Sequence, residues 1–164
     1  MTGKYRFLGE YECKLDTKGR LKLPSALVRQ IGESGTLNFV INRGSEKHLS
    51  LYPQVVWDKK TNELINRLNL YNTEHKQILR YWNRGATQLS ADSTDRILIP
   101  RTLIEFAGLE KKIVLNSVLD EIEIWDKAMY QSYIIDNEPK EMAQLMQKHL
   151  GSSRNSSSAI SDNE

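Results

Sequence analysis

Two short segments of the chain have residue types and spacing suited to chemistry. Asp16-Thr-Lys-Gly-Arg20 and Asp92-Ser-Thr-Asp-Arg96 share the pattern Asp-x-x-x-Arg. A carboxylate four residues before a guanidinium, across a tight loop, can accept hydrogen bonds from loop N–H groups or hold the guanidinium itself. Either way the arginine leaves the loop in a restricted set of directions. A preorganised guanidinium loses less entropy when it docks on guanine O6 and N7 or straddles phosphates. The three-residue connection needs one position with positive φ. Gly19 supplies it without steric cost, and Asp95 is among the few side chains that tolerate it. A single Asp/Arg pair of this kind is ordinarily a surface ion pair worth under about 1 kcal/mol. Two at equivalent positions favour recognition of double-stranded DNA, the first being flanked by Lys14, Lys18 and Lys22 with Thr94 in the matching place of the second. Asp16, Gly19, Asp92 and Asp95 would organise the loops.

The equivalence extends well beyond the loops. At an offset of 76, Arg20-Leu-Lys-Leu-Pro24 faces Arg96-Ile-Leu-Ile-Pro100, and Leu27, Val28 and Gly32 face Leu103, Ile104 and Gly108. After a small slip, Phe39-Val-Ile41 faces Ile113-Val-Leu115, and Leu49-Ser-Leu-Tyr52 faces Ile122-Glu-Ile-Trp125. Such ordered blocks mark an internal duplication.

Each copy reads as strand, loop, strand, short helix, strand, hairpin, strand. Tyr11, Cys13 and Leu15 alternate with Glu10, Glu12 and Lys14, the period of a half-buried strand. Thr87, Leu89 and Ala91 fill the same slots in the second copy. Pro24 suits a first helical turn, Leu27, Val28 and Ile31 share a helical face, and Gly32 is placed to cap it. A module of about 45 residues buries too little surface to be comfortable alone. Two copies can share a core by exchanging strands or hairpins.

The expected organisation is a first module over 5–54, a helical linker over 55–82, a second module over 83–126, C-terminal helices over 127–151 and a disordered serine-rich tail over 152–164. In the linker Trp57, Leu64, Ile65 and Leu68 recur at helical spacing, and Thr73 is the expected cap of a helix carrying Ile78, Leu79 and Trp82. Asp126 is the expected cap for a helix over 128–135. Asn137-Glu-Pro139 opens another, striped by Met142, Leu145, Met146 and Leu150.

Bulk properties narrow the class. With 164 residues, 39% hydrophobic and 27% charged, the chain is an ordinary soluble sequence. No apolar run approaches the roughly 18 residues of a membrane span. The segment from Met1 to Arg6 lacks a secretory apolar region, and the single Cys13 fits a reducing compartment. Net charge is only +2 but uneven. From Met1 to Gln30 seven basic residues stand against three acidic, whereas from Asp92 to Lys112 the count is four against four.

With Phe7-Leu-Gly-Glu-Tyr-Glu12, Leu15-Asp-Thr-Lys-Gly-Arg-Leu-Lys-Leu-Pro24, Asp95-Arg-Ile-Leu-Ile-Pro100, Ala107-Gly-Leu109 and Ile122-Glu-Ile-Trp-Asp126, the chain resembles the MraZ family, tandem SpoVT-AbrB-type modules. The resemblance covers about residues 5 to 130. It implies an α+β fold with a mainly β core, two swapped-hairpin modules forming a pseudo-twofold barrel with flanking helices. It also implies a ring-shaped homo-oligomer without cofactor or catalysis. The implied role is a cytoplasmic, nucleoid-associated repressor that reads short direct repeats upstream of the division and cell-wall gene cluster, its own gene included. The family's loops carry the reading role onto Lys18, Arg20 and Arg96. One departure is Asp95, where the family usually has glycine. We therefore expect unequal loops, the first supplying most of the phosphate attraction. The alternative is a ring-forming interaction protein with incidental DNA contact.

Other constellations are weaker. His48, His75 and His149 are scattered, and each is better read as satisfied or solvent-exposed than as a metal ligand. Trp57, Tyr81, Trp82 and Trp125 are better read as packing than as a ligand cage. Glu10 and Glu12 share a strand face, read as solvated or as a partner for a neighbouring subunit's basic surface. The stripe of Met142, Leu145, Met146 and Leu150 is either internal packing or a groove binder. No nucleophile elbow or phosphate-binding loop occurs.

Overall fold

A computed structural model describes residues 5–135 and 138–151. The predicted tail over 152–164, with Asp136 and Asn137, lies outside the described residues. The fold is α+β, with antiparallel strands throughout. In the first copy β1 (Glu10–Lys14), β2 (Arg20–Lys22), α1 (Ser25–Ile31), β3 (Asn38–Arg43) and β4 (Leu49–Pro53) follow in order. The linker holds α2 (Gln54–Asn66) and α3 (Thr73–Asn83). The second copy repeats the pattern as β5 (Thr87–Ser90), β6 (Arg96–Leu98), α4 (Arg101–Ala107), β7 (Lys112–Val118) and β8 (Glu121–Asp126).

The copies exchange strands. The six-stranded sheet runs β1-β7-β8-β4-β3-β5, so each copy's first strand pairs with the other copy's hairpin. The short second strands form a separate two-stranded ladder, β2 with β6. The order reads the same when the copies are swapped. The closed barrel implied by the resemblance is not what the ladders describe: β1 and β5 end the sheet, and among the described residues a single isolated bridge, Leu15 with Leu21, joins the end of β1 to β2. Strand exchange puts both copies into one compact unit, Met1–Met129.

Period-two burial produces this unit. On β2 and β6 only the central Leu21 and Ile97 point inward, and they pair in register with no exposure. Leu23, Leu27, Phe39, Ile41, Leu49 and Leu51 of the first copy join Ile99, Leu103, Ile113, Leu115, Ile122 and Ile124 of the second in one cluster. Truncating such a residue to alanine costs about 2–5 kcal/mol.

Several local details differ from expectation. Pro24 and Pro100 sit at the N-cap rather than inside the first turn, and their carbonyls accept from Leu27 and Val28, and from Leu103 and Ile104. Gly108 caps α4 in the left-handed region at φ 59°, but Gly32 is extended at φ 172° and leads into the turn at Glu33–Thr36. The cap of α3 is Asn72, not Thr73: its side chain accepts from the Glu74 and His75 N–H groups. An amide oxygen is the better acceptor position here because it reaches two orphan donors at once. Asp126 does cap the following turn through the Met129 N–H. The helix it starts, α5 (Lys127–Tyr130), is short and continues as a π-type turn, Gln131–Ile135. The second compact unit, Tyr130–Glu164, contains α6 (Glu138–Leu150), on which Met142, Leu145, Met146 and Leu150 are exposed.

Candidate nucleic-acid interface

Both loops are closed from within by their aspartates. Asp16 Oδ1 accepts from the Lys18 N–H at 2.9 Å and the Arg20 N–H at 2.8 Å. Asp92 Oδ1 accepts from the Thr94 N–H at 2.9 Å, the Thr94 hydroxyl at 2.8 Å and the Arg96 N–H at 3.0 Å. Gly19 stands at φ 84° and Asp95 at φ 61°, the positive-φ position that the connection needs. Of the two roles open to the aspartates, they take the first. Among the described residues no ion pair joins Asp16 to Arg20 or Asp92 to Arg96. The guanidinium groups are thus left exposed.

The two loops also brace each other across the duplication. The Leu23 N–H donates to the Asp95 carbonyl and the Ile99 N–H to the Gly19 carbonyl, both at 2.9 Å. Asp16 and Asp92 are fully exposed, yet both carboxyls are held below their ordinary range. For Asp16 the largest cause is the hydrogen bond from the Arg20 backbone, and the positive charges of Arg20 and Arg96 assist. For Asp92 it is the Arg96 backbone, then the Thr94 hydroxyl. The backbone bonds between the loops, with the β2–β6 register, place the two loops side by side.

Their shared surface is the outward face of the β2–β6 ribbon. The register sets Arg20 opposite Leu98 and Lys22 opposite Arg96, and all four are exposed. The ribbon therefore presents three cations and one apolar side chain, Leu98, which is 56% exposed. An antiparallel ribbon of this width is an element that the major groove admits. Lys22 belongs beside Arg96, not beside the first loop as its sequence position suggested.

Strand exchange brings further cations to loop 16–20 that sequence proximity does not reveal. Lys14 pairs with Lys112, and the Leu15 N–H donates to the Lys111 carbonyl. A cleft of about 740 Å³ beside this loop is lined by Lys18, Gly19, Leu98, Arg101, Ile104 and Lys111, with Asp16, Glu105 and Glu110 as its acidic members. Loop 92–96 has a different neighbour. The Asp95 carboxylate accepts from the Ser34 hydroxyl and from the Gly35 N–H at 2.8 Å, fastening it to the turn after α1. Thr94, nominated as a contact, gives its hydroxyl proton to Asp92. Arg101, Lys111, Lys112 and Leu98 are the residues that sequence reasoning passed over. Lys111 and Lys112 reach this loop through the β1–β7 pairing and Arg101 from the start of α4, placements that only the fold supplies.

The remaining constellations do not gather at this face. Trp57 stacks on Trp82 with ring centres 4.8 Å apart, joining α2 to α3, and the Trp82 indole donates to Thr61. Tyr81 is exposed and Trp125 stacks on His48, so the aromatics form no single cage. His48 departs from expectation. It is buried, with Nε2 at 3.1 Å from Glu123, while its Nδ1 has no partner among the described residues. Glu12, on the solvated face of β1, pairs with Lys127 at 2.9 Å. Burial of Cys13 on the opposite face pushes its thiol up to about 11.

Comparison with known proteins also finds the duplication. The family model described as "MraZ protein, putative antitoxin-like" matches residues 6–81 and again 83–148, one match per copy. The chain is 37% identical over 145 residues to a protein of Christiangramia forsetii named "Transcriptional regulator MraZ", covering 88% of this chain and 92% of the relative. It is 38% identical to the protein of that name in Flavobacterium psychrophilum, over 88% of this chain and 91% of the relative. For that of Lachnoclostridium phytofermentans the figures are 39%, 80% and 89%.

Proposed function

Since the chain belongs to the MraZ family, we propose that it is a DNA-binding transcriptional regulator that reads promoter repeats with the β2–β6 ribbon and its two Asp-x-x-x-Arg loops. One observation carries the reading. Arg20 and Arg96, each launched from an aspartate-closed loop, lie exposed on one face with Lys22 and, among the described residues, form no ion pair with a carboxylate. In this reading Arg20 and Arg96 dock on base edges or phosphates. Lys14, Lys18 and Lys22 neutralise phosphates, and Thr94 contributes as an acceptor. The protein acts in the cytoplasm at the nucleoid, without cofactor or catalysis. It represses the division and cell-wall cluster that contains its gene.

The contact arithmetic favours an oligomer. A good bidentate Arg–guanine pair supplies about 1–3 kcal/mol of discrimination, against the roughly 4–10 kcal/mol separating specific from non-specific binding. Two loops fall short. Several subunits on successive direct repeats, closed as a ring, turn later contacts into intramolecular ones with a large gain in avidity. The pseudo-twofold pairing of the copies would give each subunit a single two-loop reading face.

Binding of the full chain to the region upstream of its own gene, measured across salt concentrations, tests this. Specific binding with a steep negative salt slope is expected. Salt-insensitive association with protein partners and no DNA binding would instead establish a ring-forming interaction protein.

A further inference from the structure

The β1–β7 ladder ends, beside loop 16–20, in two lysines set directly opposite each other. Lys14 and Lys112 are register partners, and both are exposed. Directly opposed residues of an antiparallel pair project from one face with Cβ atoms about 4.5–5.5 Å apart, and like charges placed there are destabilising. Among the described residues neither lysine forms an ion pair. Two carboxylates at adjoining strand positions are engaged elsewhere. Glu12, two residues back along β1, pairs with Lys127, and Asp126, opposite Ile113 on β8, accepts from the Glu110 and Met129 N–H groups.

The duplication supplies a control. The equivalent pair in the other ladder is Ser90 opposite Asn38, and there the Ser90 hydroxyl donates to Asn38 Oδ1 at 2.8 Å, so the side chains satisfy each other. Lys111 corresponds to Leu37, which is buried in the core, whereas Lys111 is exposed and lines the cleft of loop 16–20 with Lys18. A backbone position that can hold a self-satisfied neutral pair holds two repelling cations only beside the loop that also carries Lys18. Protection of a sheet edge accounts for one of them at most. Lysine on an edge strand discourages stray pairing, and β1 is an edge, but β7 lies between β1 and β8. A negatively charged third party between the lysines accounts for both.

We propose that Lys14 and Lys112, one from each copy, form a clamp for a DNA backbone phosphate flanking the ribbon, with Lys111 and Lys18 on the cleft side of the same loop. This clamp rests on the DNA-binding reading above and extends the contact from the ribbon to the end of the six-stranded sheet. Phosphate contacts fix register on the duplex but carry no sequence information. The clamp should therefore set affinity and salt dependence and leave discrimination to the ribbon.

Binding of the full chain and of Lys14→Gln/Lys112→Gln to the upstream fragment and to an unrelated duplex of equal length, across salt concentrations, tests it. The double variant should flatten the salt slope by about one to two units per contacting subunit on both duplexes. The ratio of the two affinities should stay within about twofold of the parent chain's. Lys76→Gln, at an exposed lysine of α3, should leave the slope unchanged. Without DNA, thermal melts at low salt should place the double variant at or above the parent chain, because a repulsion has been removed. An unchanged slope in the double variant, with specific binding by the parent intact, would overturn the clamp and leave the ribbon standing. A parent chain that binds no DNA would overturn both. A lower melting point would mean that the lysines support the fold, and a loss confined to the upstream fragment that they read bases. Either result would also remove the clamp, as would an equal flattening by Lys76→Gln.

Discussion

Loop 16–20 and loop 92–96 place aspartate, positive-φ residue and arginine at matching positions, yet their surroundings differ residue by residue. Where the first has Lys14 and Lys18, the second has Ser90 and Thr94. Lys111 and Lys112, brought to the first loop by the β1–β7 pairing, correspond to Leu37 and Asn38 beside the second. Arg101 corresponds to Ser25, and Gly19 to Asp95. The first loop has a cation-rich setting and no side-chain fastening at its positive-φ position. The second gains a carboxylate that pins it to Ser34 and Gly35, at the cost of a negative charge beside its own arginine. Duplication preserved the backbone device and let the charge divide unevenly.

The largest expected effect tests that division directly. Arg20→Ala should weaken binding to the upstream fragment about fivefold to 150-fold per reading contact, the equivalent of roughly 1–3 kcal/mol. Arg96→Ala should cost less, and if it proves the more damaging the asymmetry is wrong. Next comes the backbone. A Cβ at Gly19 would lie 3.1 Å from Ile104 Cδ1 and 3.2 Å from the Ile99 carbonyl oxygen, at φ 84°. Gly19→Ala should therefore lower unfolding stability by about 1–2 kcal/mol. Asp95→Asn keeps a side chain that tolerates positive φ and an acceptor for the Gly35 N–H, so denaturant melts should shift by under about 0.5 kcal/mol.

Much of this comparison was legible in the sequence, because it is local. The period-two alternation gave the strands, the apolar face at Leu27, Val28 and Ile31 gave α1, and Asp-x-x-x-Arg marked the loops. Exchange of strands between copies was expected too; what escaped was its register. No local pattern says that Lys14 will face Lys112 or that Lys22 will face Arg96, since those registers arise only when each first strand joins the other copy's hairpin. Gly32 misled for a related reason: the chain beyond it turns toward Asp95 of the other copy, whereas Gly108 leads back to Leu109, whose N–H reaches the Ile104 carbonyl. His48 carried no periodic signal for its burial.

The ribbon sharpens the comparison at smaller amplitude. Lys22 and Leu98 are equivalent positions that differ by one charge, and each faces the other copy's arginine. Lys22→Leu should flatten the salt dependence of DNA binding by about one unit per contacting subunit, and Leu98→Lys should steepen it by a similar amount. The exposed Leu98 has a second consequence, since an apolar side chain in the major groove can meet a thymine methyl group. Leu98→Lys should thus raise affinity for unrelated DNA more than for the operator. An equal gain on both would leave Leu98 no part in discrimination.

The smallest effect concerns pH, and here the loops should behave alike for different reasons. In each, the ionised aspartate accepts the loop N–H groups, so its carboxyl is lowered from the ordinary 3.8. A group lowered by folding contributes stability above its unfolded value and loses it as pH falls through the folded one. Both loops should therefore stay closed between pH 5 and 8, an interval on the order of the usual working range, and open only below the ordinary carboxylate value. Carboxyl titration by NMR should give midpoints under 3.8 for both residues. Thr94→Ala should move the Asp92 midpoint upward, because the hydroxyl bond is lost, and leave Asp16, which leans on the Arg20 backbone and the Arg96 charge, where it was. A Thr94→Ala shift shared by both aspartates would mean that the loops titrate as one unit, and the separate closure of each would have to be abandoned.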